Sequence, residues 1–209
     1  NVIYNGFDKK RIKSIDRTAK REELGVDTKY LVTMCGRVEV AKDWDSFIQL
    51  AEKVESCRDD VTFLAVGGGN QLEYFRNIIC DKGLRRIRFI GRRDDVEEIL
   101  ESTDISLLFT NNEKHAEGVS NSIMESMAVR VPVIATEGGG TPEIITDGFD
   151  GYVIQPGDID KAYFLLSEML DNEIKRNRMA SNAKKTIDER FNLTRMAEEY
   201  IQLYRKIIQ

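Results

Sequence analysis

The sequence is poor in the residues that build metal sites and disulfide frameworks. Its 209 residues include three cysteines, Cys35, Cys57 and Cys80, and one histidine, His115. The cysteines lie more than twenty residues apart and form no C-x-x-C pair, so a zinc site lacks a recognisable ligand set. An odd number of widely spaced thiols favours the reduced state, and with it a cytoplasmic location.

Excess positive charge and long apolar runs are also absent. Lysine and arginine number 31 against 36 acidic residues, for a net charge of -5. That balance argues against a nucleic-acid or anionic-membrane surface and leaves room only for a small basic pocket. No apolar run reaches the ~18 residues of a membrane-spanning helix. The chain opens at Asn1 without methionine, so we expect a fragment of a longer protein.

A glycine is missing where a dinucleotide-binding turn would need it. Gly67 and Gly69 supply G-x-G between a predicted strand and a predicted helix, but Leu72 stands at the third glycine position. The helix then cannot approach the strand as nicotinamide cofactors require. We interpret residues 67–69 as a tight turn against which another segment packs closely.

Apolar runs alternate with helical patterns along the first three quarters of the chain. The runs suit buried strands, and the apolar spacing between them is that of helices. This βαβα order predicts an α/β fold, a Rossmann-like three-layer α/β/α domain with a mostly parallel sheet. After Gly157 the chain is helical throughout, and we expect those helices to pack as a terminal layer. The predicted strands are Tyr30–Cys35, Val61–Val66, Ile87–Ile90, Ile105–Phe109, Val131–Ala135 and Tyr152–Ile154.

The most informative stretch runs from Glu117 to Glu125, two carboxylates eight residues apart. Between them, Gly118 frees the backbone and Ser120 or Asn121 caps a helix, so that the first amides of the helix point at an anion. If helical throughout, the stretch would hold the carboxylates roughly 12 Å apart, at opposite ends of one extended ligand. A nucleoside diphosphate sugar fits that demand. The alternative is an ordinary strand–loop–helix with solvated carboxylates.

Two cations follow the first predicted strand at the same edge of the sheet. Arg37 and Lys42 would lie around a diphosphate, where each charge-assisted contact contributes roughly 1.5–3 kcal/mol; the alternative is that both are solvated surface charges. Asp43-Trp44-Asp45 resembles a metal-binding D-x-D string, but aspartate here is expected as a helix cap. We expect Trp44 to pack on the surface or against an absent neighbour.

A second glycine triplet, Gly138-Gly139-Gly140, follows the fifth predicted strand. Thr141 is the expected cap of a helix with Pro142 at its first position and Glu143 in its first turn. Three glycines in a row also indicate close approach of a ligand or a neighbouring domain.

Taken in order, these segments resemble the C-terminal, donor-binding domain of the GT-B-fold retaining glycosyltransferases, the large family 4, group 1. The resemblance covers almost the whole chain. Its motifs are the hinge Asn5-Gly6-Phe7-Asp8, the Gly36-Arg37 pair with Lys42, Phe89-Ile90-Gly91, the E-x7-E ends Glu117 and Glu125, Gly139 with Thr141-Pro142-Glu143-Ile144, and Asp147-Gly148.

The resemblance implies a role for each matching residue. Arg37 and Lys42 would neutralise the diphosphate, Glu117 would sit beside the donor sugar, and these three form the expected catalytic set. Glu125 would bind ribose hydroxyls. Backbone groups of Gly118, Val119, Ser120 and Asn121 would hold phosphate or hexose, with Ile90 and Arg92 bordering the base. The substrate is then a nucleoside diphosphate sugar, and neither a metal nor another cofactor is expected.

The resemblance also implies a division of the chain. Residues 1–29 would contain the interdomain hinge, 30–190 the nucleotide-sugar domain, and 191–209 a helix returning to an N-terminal domain that holds a glycan or lipid-linked acceptor. Such an enzyme would be a cytoplasmic hexosyltransferase of polysaccharide or glycolipid synthesis, with peripheral membrane contact an option for the full-length protein. This chain alone would bind donor without transferring sugar.

Two departures and two rival interpretations accompany the resemblance. Asp43 follows Lys42 where the family commonly has glycine, which places a negative charge near the diphosphate. Val129-Arg130 replaces the small residue and glycine that usually close the signature helix, so we expect that helix to end without a left-handed glycine cap. The rivals are another enzyme of the same architecture, such as a nucleotide-sugar epimerase or a glucan phosphorylase, and a non-catalytic sugar-nucleotide-binding module.

Overall fold

The computed structural model describes residues 2–111 and 118–208. Its strands are β1 (Tyr30–Cys35), β2 (Val61–Val66), β3 (Ile87–Gly91), β4 (Ile105–Leu108), β5 (Val133–Thr136) and β6 (Gly151–Ile154). Its helices are α1 (Arg17–Glu23), α2 (Trp44–Glu55), α3 (Leu72–Asp81), α4 (Val96–Glu101), α5 (Asn121–Ala128), α6 (Thr141–Ile144), α7 (Ile159–Asp171), α8 (Glu173–Arg190) and α9 (Leu193–Ile208), with a 3₁₀ turn at Lys9–Arg11.

The six strands form one parallel sheet in the order β3-β2-β1-β4-β5-β6. Tyr30 lies beside Val61 on one side of β1, and Val32 lies beside Ile105 on the other. The predicted α/β architecture and all six predicted strands are confirmed; β1 and β2 have the predicted ends, and the ends of the other four differ by at most two residues. Since the strand order reverses beside β1, the loops after β1 and β4 diverge and open a crevice there, where ligands bind in such sheets.

One face of the sheet is covered by α2, α3 and α7. Apolar residues at helical spacing along α2, Phe47, Leu50, Ala51 and Val54, are buried in this layer. Trp44 is fully buried among them, 5.4 Å from the ring centroid of Phe89. The prediction that Trp44 packs on the surface or against an absent neighbour is therefore wrong. The first turn of α2 lies directly over the sheet, and the indole nitrogen donates to the carbonyl of Arg37 (3.1 Å).

The opposite face carries α5, α6 and α8 in one apolar cluster and α4 in another. Phe7 belongs to the first cluster, 4% exposed, and its amide donates to the carbonyl of Phe191 (2.7 Å). We call residues 2–12 the lead-in segment. It runs over the joint between α8 and α9, where a Cβ on Gly6 would lie 2.6 Å from the carbonyl oxygen of Asn192. The proposed hinge sequence is thus packed on the domain.

The last helix does not follow the prediction of a packed terminal layer. No residue of α9 is buried, and Tyr204 and Ile208 along its apolar stripe are 60% and 84% exposed. The lead-in segment lies against Met196 and Leu203, which are half-buried, but within residues 2–111 and 118–208 the rest of the stripe stays exposed. No helix in that part of the chain is long and apolar enough to cross a membrane.

Candidate functional site

A cavity of about 490 Å³ opens where β1, β2 and β3 end. It brings together three residues that the sequence singled out, Arg37, Arg92 and Glu125, from three different loops and helices. Its position matches the crevice expected from the strand order. The other lining residues are Cys35, Gly36, Val66, Gly67, Gly68, Arg93, Val96 and Ser122.

The glycine turn after β2 forms one wall of this cavity. Gly67 has φ +151°, and a Cβ there would lie 1.8 Å from the carbonyl oxygen of Gly36. The amide of Val38 donates to the carbonyl of Gly68 (2.9 Å), which ties the two loops together. The close packing predicted for residues 67–69 is confirmed, and the segment packed against them is the loop after β1; the hydrogen-bonded turn itself starts at Gly69, whose carbonyl accepts from the amide of Leu72 (3.3 Å).

The cavity's two predicted arginines reach into solvent. The Arg37 side chain is 74% exposed and lies 3.3 Å from Glu39, while that of Arg92 is 85% exposed and lies 3.8 Å from Asp94. Exposed pairs of this kind hold a side chain only weakly. Both arginines are therefore available to an anion that enters the cavity. Ile90, the other residue expected near the base, is half-buried and packs into the apolar cluster that includes α4.

Lys42 is not among the residues that line the cavity, but its side chain lies beside Gly36, which is. A Cβ on Gly36 would be 3.3 Å from Cε of Lys42, so the lysine stem crosses over the glycine. The neighbouring Asp43 caps α2, with Oδ1 accepting from the amide of Ser46 (3.1 Å) and Oδ2 from its hydroxyl (2.6 Å). The negative charge that the sequence placed near the diphosphate is thus engaged in the helix start. In residues 2–111 and 118–208 no group of three acidic, cysteine or histidine side chains is arranged to hold a metal ion.

Helix α5 begins beside the cavity and is fixed to the sheet by serines. Ser120 is the residue before the first turn, with φ -77° and ψ 124°, but its side chain makes no capping bond in the described part of the chain. Ser122 donates to the carbonyl of Cys35 (2.9 Å), and Ser126 donates to the hydroxyl of Ser106 (2.9 Å). These bonds join α5 to β1 and β4. The helix start is therefore held rigidly at the edge where the strands end.

The second glycine triplet positions the segment that leads into α5. A Cβ on Gly140 would lie 2.7 Å from the backbone nitrogen of Val119, so the close approach predicted for this triplet is made by the chain itself. Gly140 is also the N-cap of α6, and Thr141 is the first helical residue. The prediction of Thr141 as cap is wrong by one position, because the turn that admits Val119 continues into the helix. Gly118 and Asn121 flank the same segment.

Glu125 is the least exposed charged group among the lining residues that the sequence predicted. Its side chain is 15% exposed, and Oε1 lies 3.0 Å from Nη2 of Arg11. The same guanidinium nitrogen is in ion-pair contact with Glu97, whose side chain is 12% exposed. Burial raises the pKa of Glu125, Arg11 opposes that rise, and Glu97 adds to it. Among the residues that the structure describes, the half-buried carboxylate is held by one cation, Arg11, which it shares with Glu97.

Glu117 and His115 lie outside the described residues. The separation of Glu117 from Glu125 therefore stays a prediction. Sequence reasoning missed Arg11, Arg93, Ser122 and the backbone of Gly67 and Gly68. The signal for Arg93 and the glycines was their place after strand ends on the same edge of the sheet. Arg11 had no such signal, since 114 residues separate it from Glu125.

The geometry can be compared with known proteins. Residues 16–186 match the family model described as "Glycosyl transferases group 1". The chain belongs to this family. The group 1 resemblance inferred from the motifs is thereby confirmed.

The curated relatives of this group 1 chain are about twice as long as the chain itself. It is 30% identical, over 94% of its length and 53% of the relative's, to the GDP-mannose-dependent monoacylated alpha-(1-6)-phosphatidylinositol monomannoside mannosyltransferase of Corynebacterium glutamicum. The chain spans about half the length of the curated relatives it matches.

Solved structures share the group 1 architecture. The crystal structure of Anabaena HepE in complex with UDP-glucose superposes with a TM-score of 0.88 at 25% identity, over 99% of this chain and 57% of that one. The C-terminal domain of the glycosyl transferase group 1 family protein LpcC of Francisella tularensis superposes with a TM-score of 0.79 at 24% identity, over 90% of this chain and 100% of that one.

Proposed function

We propose that this chain is the donor-binding part of a retaining hexosyltransferase that takes its sugar from a nucleoside diphosphate sugar. The observation that carries the proposal is the cavity at the ends of β1, β2 and β3. There Arg37, Arg92 and the half-buried carboxylate of Glu125 face one space beside the start of α5. Cations and helix amides suit a diphosphate, and a carboxylate suits the hydroxyls of a ribose.

The chemistry follows from where charge develops. As the bond between the sugar and the diphosphate breaks, negative charge grows on the leaving phosphate. Arg37 and Lys42, together with the amides of residues 118–121, would stabilise that charge more in the transition state than in the ground state, and this difference lowers the barrier. The proposal uses no metal, and Glu117 would lie beside the donor sugar.

The comparisons support the substrate class without fixing the base. The HepE structure contains UDP-glucose, and the Corynebacterium glutamicum relative is named as GDP-mannose-dependent. Membership of group 1 favours transfer over the epimerase, phosphorylase and non-catalytic alternatives. We place the base near Arg92, on the side of the cavity formed by the loop after β3.

The acceptor belongs to the rest of the protein in this proposal. A further domain would hold a glycan or lipid-linked sugar on the cytoplasmic side of a membrane, and the product would enter a polysaccharide or glycolipid. The chain's half-length coverage of its relatives supports a second domain. The exposed apolar stripe of α9 is available to contact it.

Calorimetric titration with UDP, GDP and ADP tests the proposal. Glu125→Ala should weaken binding of the preferred nucleotide by roughly 1.5–3 kcal/mol, because a carboxylate that accepts hydrogen bonds from the ribose hydroxyls is lost. The matched control is Glu73→Ala on α3, whose side chain is 76% exposed and does not line the cavity. Equal affinities for Glu125→Ala and Glu73→Ala would contradict the ribose role.

Arg37→Ala separates diphosphate binding from general binding in the same titration. The loss should be large for the nucleoside diphosphate and near zero for the free nucleoside, since the guanidinium contacts phosphate only. Equal losses for both ligands would show that Arg37 contacts the base or supports the fold.

A further inference from the structure

Glu125 lies between two cavities, and the second one faces the lead-in segment. The first is the cavity at the ends of β1, β2 and β3. The second measures about 270 Å³ and is lined by Asn5, Gly6, Phe7, Arg11, Asn121, Met124, Glu125 and Met196. The carboxylate proposed to bind ribose is therefore reached from its far side by Arg11 of the lead-in segment.

Arg11 is placed by its own short turn and by a buried anchor. The 3₁₀ turn at Lys9–Arg11 is capped by Asp8, whose Oδ1 accepts from the amide of Lys10 (3.0 Å). The guanidinium carbon lies 5.5 Å from the centre of the Phe7 ring. Because Phe7 is buried and bonded to Phe191, Arg11 reaches Glu125 only while the lead-in segment is seated on the domain.

Two largely buried carboxylates share this one cation. Glu97 and Glu125 are 12% and 15% exposed, and both contact Nη2 of Arg11. The buried Oε1 of Glu97 accepts no hydrogen bond within the described residues. Its contact with Arg11 is therefore an ion pair without a well-aligned hydrogen bond. Like charges in a poorly solvated site disfavour ionisation of each other, and a shared cation offsets that repulsion.

We propose that Arg11 is a positioning residue for donor binding, which keeps the Glu125 carboxylate ionised and aimed at the ribose hydroxyls and makes donor affinity depend on the seating of the lead-in segment. This inference rests on the proposed function, because it needs Glu125 to contact the donor. A closing motion of the hinge would then act on donor affinity through one ion pair.

The charged and titratable surroundings of Glu125 define the test. They are Arg11 on the lead-in segment, Glu97 on α4, the buried thiol of Cys35 on β1, and the cavity's Arg37, Arg92 and Arg93. Without Arg11, the remaining influences named for Glu125, burial and Glu97, both raise its pKa. If nucleotide binding needs the ionised carboxylate, a chain without Arg11 should lose affinity on acidification at a higher pH than the parent.

The experiment is calorimetric titration of the preferred nucleoside diphosphate into this chain at a series of pH values. Arg11→Gln should bind the nucleotide about tenfold more weakly than the parent at neutral pH, a loss the size of one charge-assisted contact. As the solution is acidified, this variant should lose affinity at a higher pH than the parent does. Arg11→Lys should stay within about threefold of the parent, since it keeps the charge. The matched control is Lys10→Gln in the same turn, which should leave the titration unchanged.

Relief of the repulsion gives the signature that a merely structural ion pair would not show. In the double variant Arg11→Gln, Glu97→Gln, nucleotide affinity should recover. The pH at which affinity begins to fall on acidification should also return toward the lower value of the parent. Glu97→Gln alone should bind at least as well as the parent, and this variant decides the matter if Arg11→Gln does not fold.

Three results would overturn the inference. Arg11→Gln could bind the nucleotide as tightly as Lys10→Gln, every variant could lose affinity at the same pH as the parent, or Glu97→Gln could bind the nucleotide more weakly than the parent. If instead the parent chain binds no nucleotide, or Glu125→Gln binds as the parent does, the proposed function itself fails and this inference fails with it.

Discussion

The two glycine triplets of this chain look alike in sequence and serve different parts of the site. The triplet at 67–69 ends β2, and added Cβ atoms on Gly67 and Gly69 would lie 1.8 and 2.2 Å from carbonyl oxygens of the loop after β1. The triplet at 138–140 follows β5, and a Cβ on Gly140 would lie 2.7 Å from the nitrogen of Val119. One triplet builds a wall of the cavity, and the other positions the entrance to α5.

The difference lies in how each approach is secured. At the first triplet, backbone bonds from Val38 to Gly68 (2.9 Å) and from Gln71 to Val38 (3.1 Å) join the loops. At the second triplet, within residues 118–119 and 138–140, no backbone hydrogen bond joins the two segments. We infer that the first contact is part of the fold, whereas the second adjusts the segment proposed to hold phosphate.

The largest effect should come from Gly67→Ala. The new methyl group would overlap a backbone oxygen that sits in a hydrogen-bonded loop, and alanine is also strained at φ +151°. We expect a loss of at least about 3 kcal/mol in the free energy of unfolding, measured by urea denaturation. A loss below about 1 kcal/mol would show that the loop after β1 moves freely, and the contrast between the triplets would disappear.

A smaller and more specific effect should come from Gly140→Ala. The methyl group would push against Val119, which no backbone bond ties to the triplet, so the segment should shift at a cost of about 1–3 kcal/mol. Nucleotide affinity measured by calorimetry should fall as well, because the amides before α5 move.

The control for stability is Gly118→Ala, where an added Cβ meets no atom of the described residues within 4 Å. Its free energy of unfolding should change by less than about 0.5 kcal/mol. If Gly140→Ala lowered stability and left nucleotide affinity intact, the second triplet would be purely structural.

The smallest effect should come from a left-handed position that lacks glycine. Arg130 has φ +63° and closes α5, with its amide donating to Met127 (3.1 Å) and that of Val131 to Ser126 (3.0 Å). The helix therefore ends in the left-handed conformation without the glycine that usually adopts it. Arg130→Gly should raise the free energy of unfolding by about 1 kcal/mol in urea denaturation, because a side chain strains this conformation. Unchanged or lower stability would mean that contacts of the arginine side chain offset the strain.

Local patterns predicted most of the sheet and the helices that pack on it. The strand β1 and the helix α2 were evident because buried apolar runs and helical apolar spacing are properties of a few neighbouring residues. The same reasoning failed for Trp44, since a residue next to a helix cap can face either way. It also failed for α9, whose apolar stripe predicts burial without saying what covers it.

For the site, the sequence predicted three of the side chains that meet but not their contacts. Arg37 and Glu125 were expected at one edge because parallel strands end there together, and Arg92 was expected there from the family resemblance. The capping of α2 by Asp43 was also within reach of the sequence, although the consequence for the charge beside Lys42 was not. The roles assigned to these residues stay predictions until nucleotide binding is measured.

The sequence by itself determined the alternation of strands and helices, the family of the chain, and the edge of the sheet where a ligand would bind, because periodicity and motif spacing act over a few residues. Only the tertiary structure decided that Arg11 forms ion pairs with both Glu125 and Glu97. It alone also decided which loop backbone packs against each glycine triplet. Those contacts join residues far apart in the chain, and their geometry depends on how whole layers pack on the sheet.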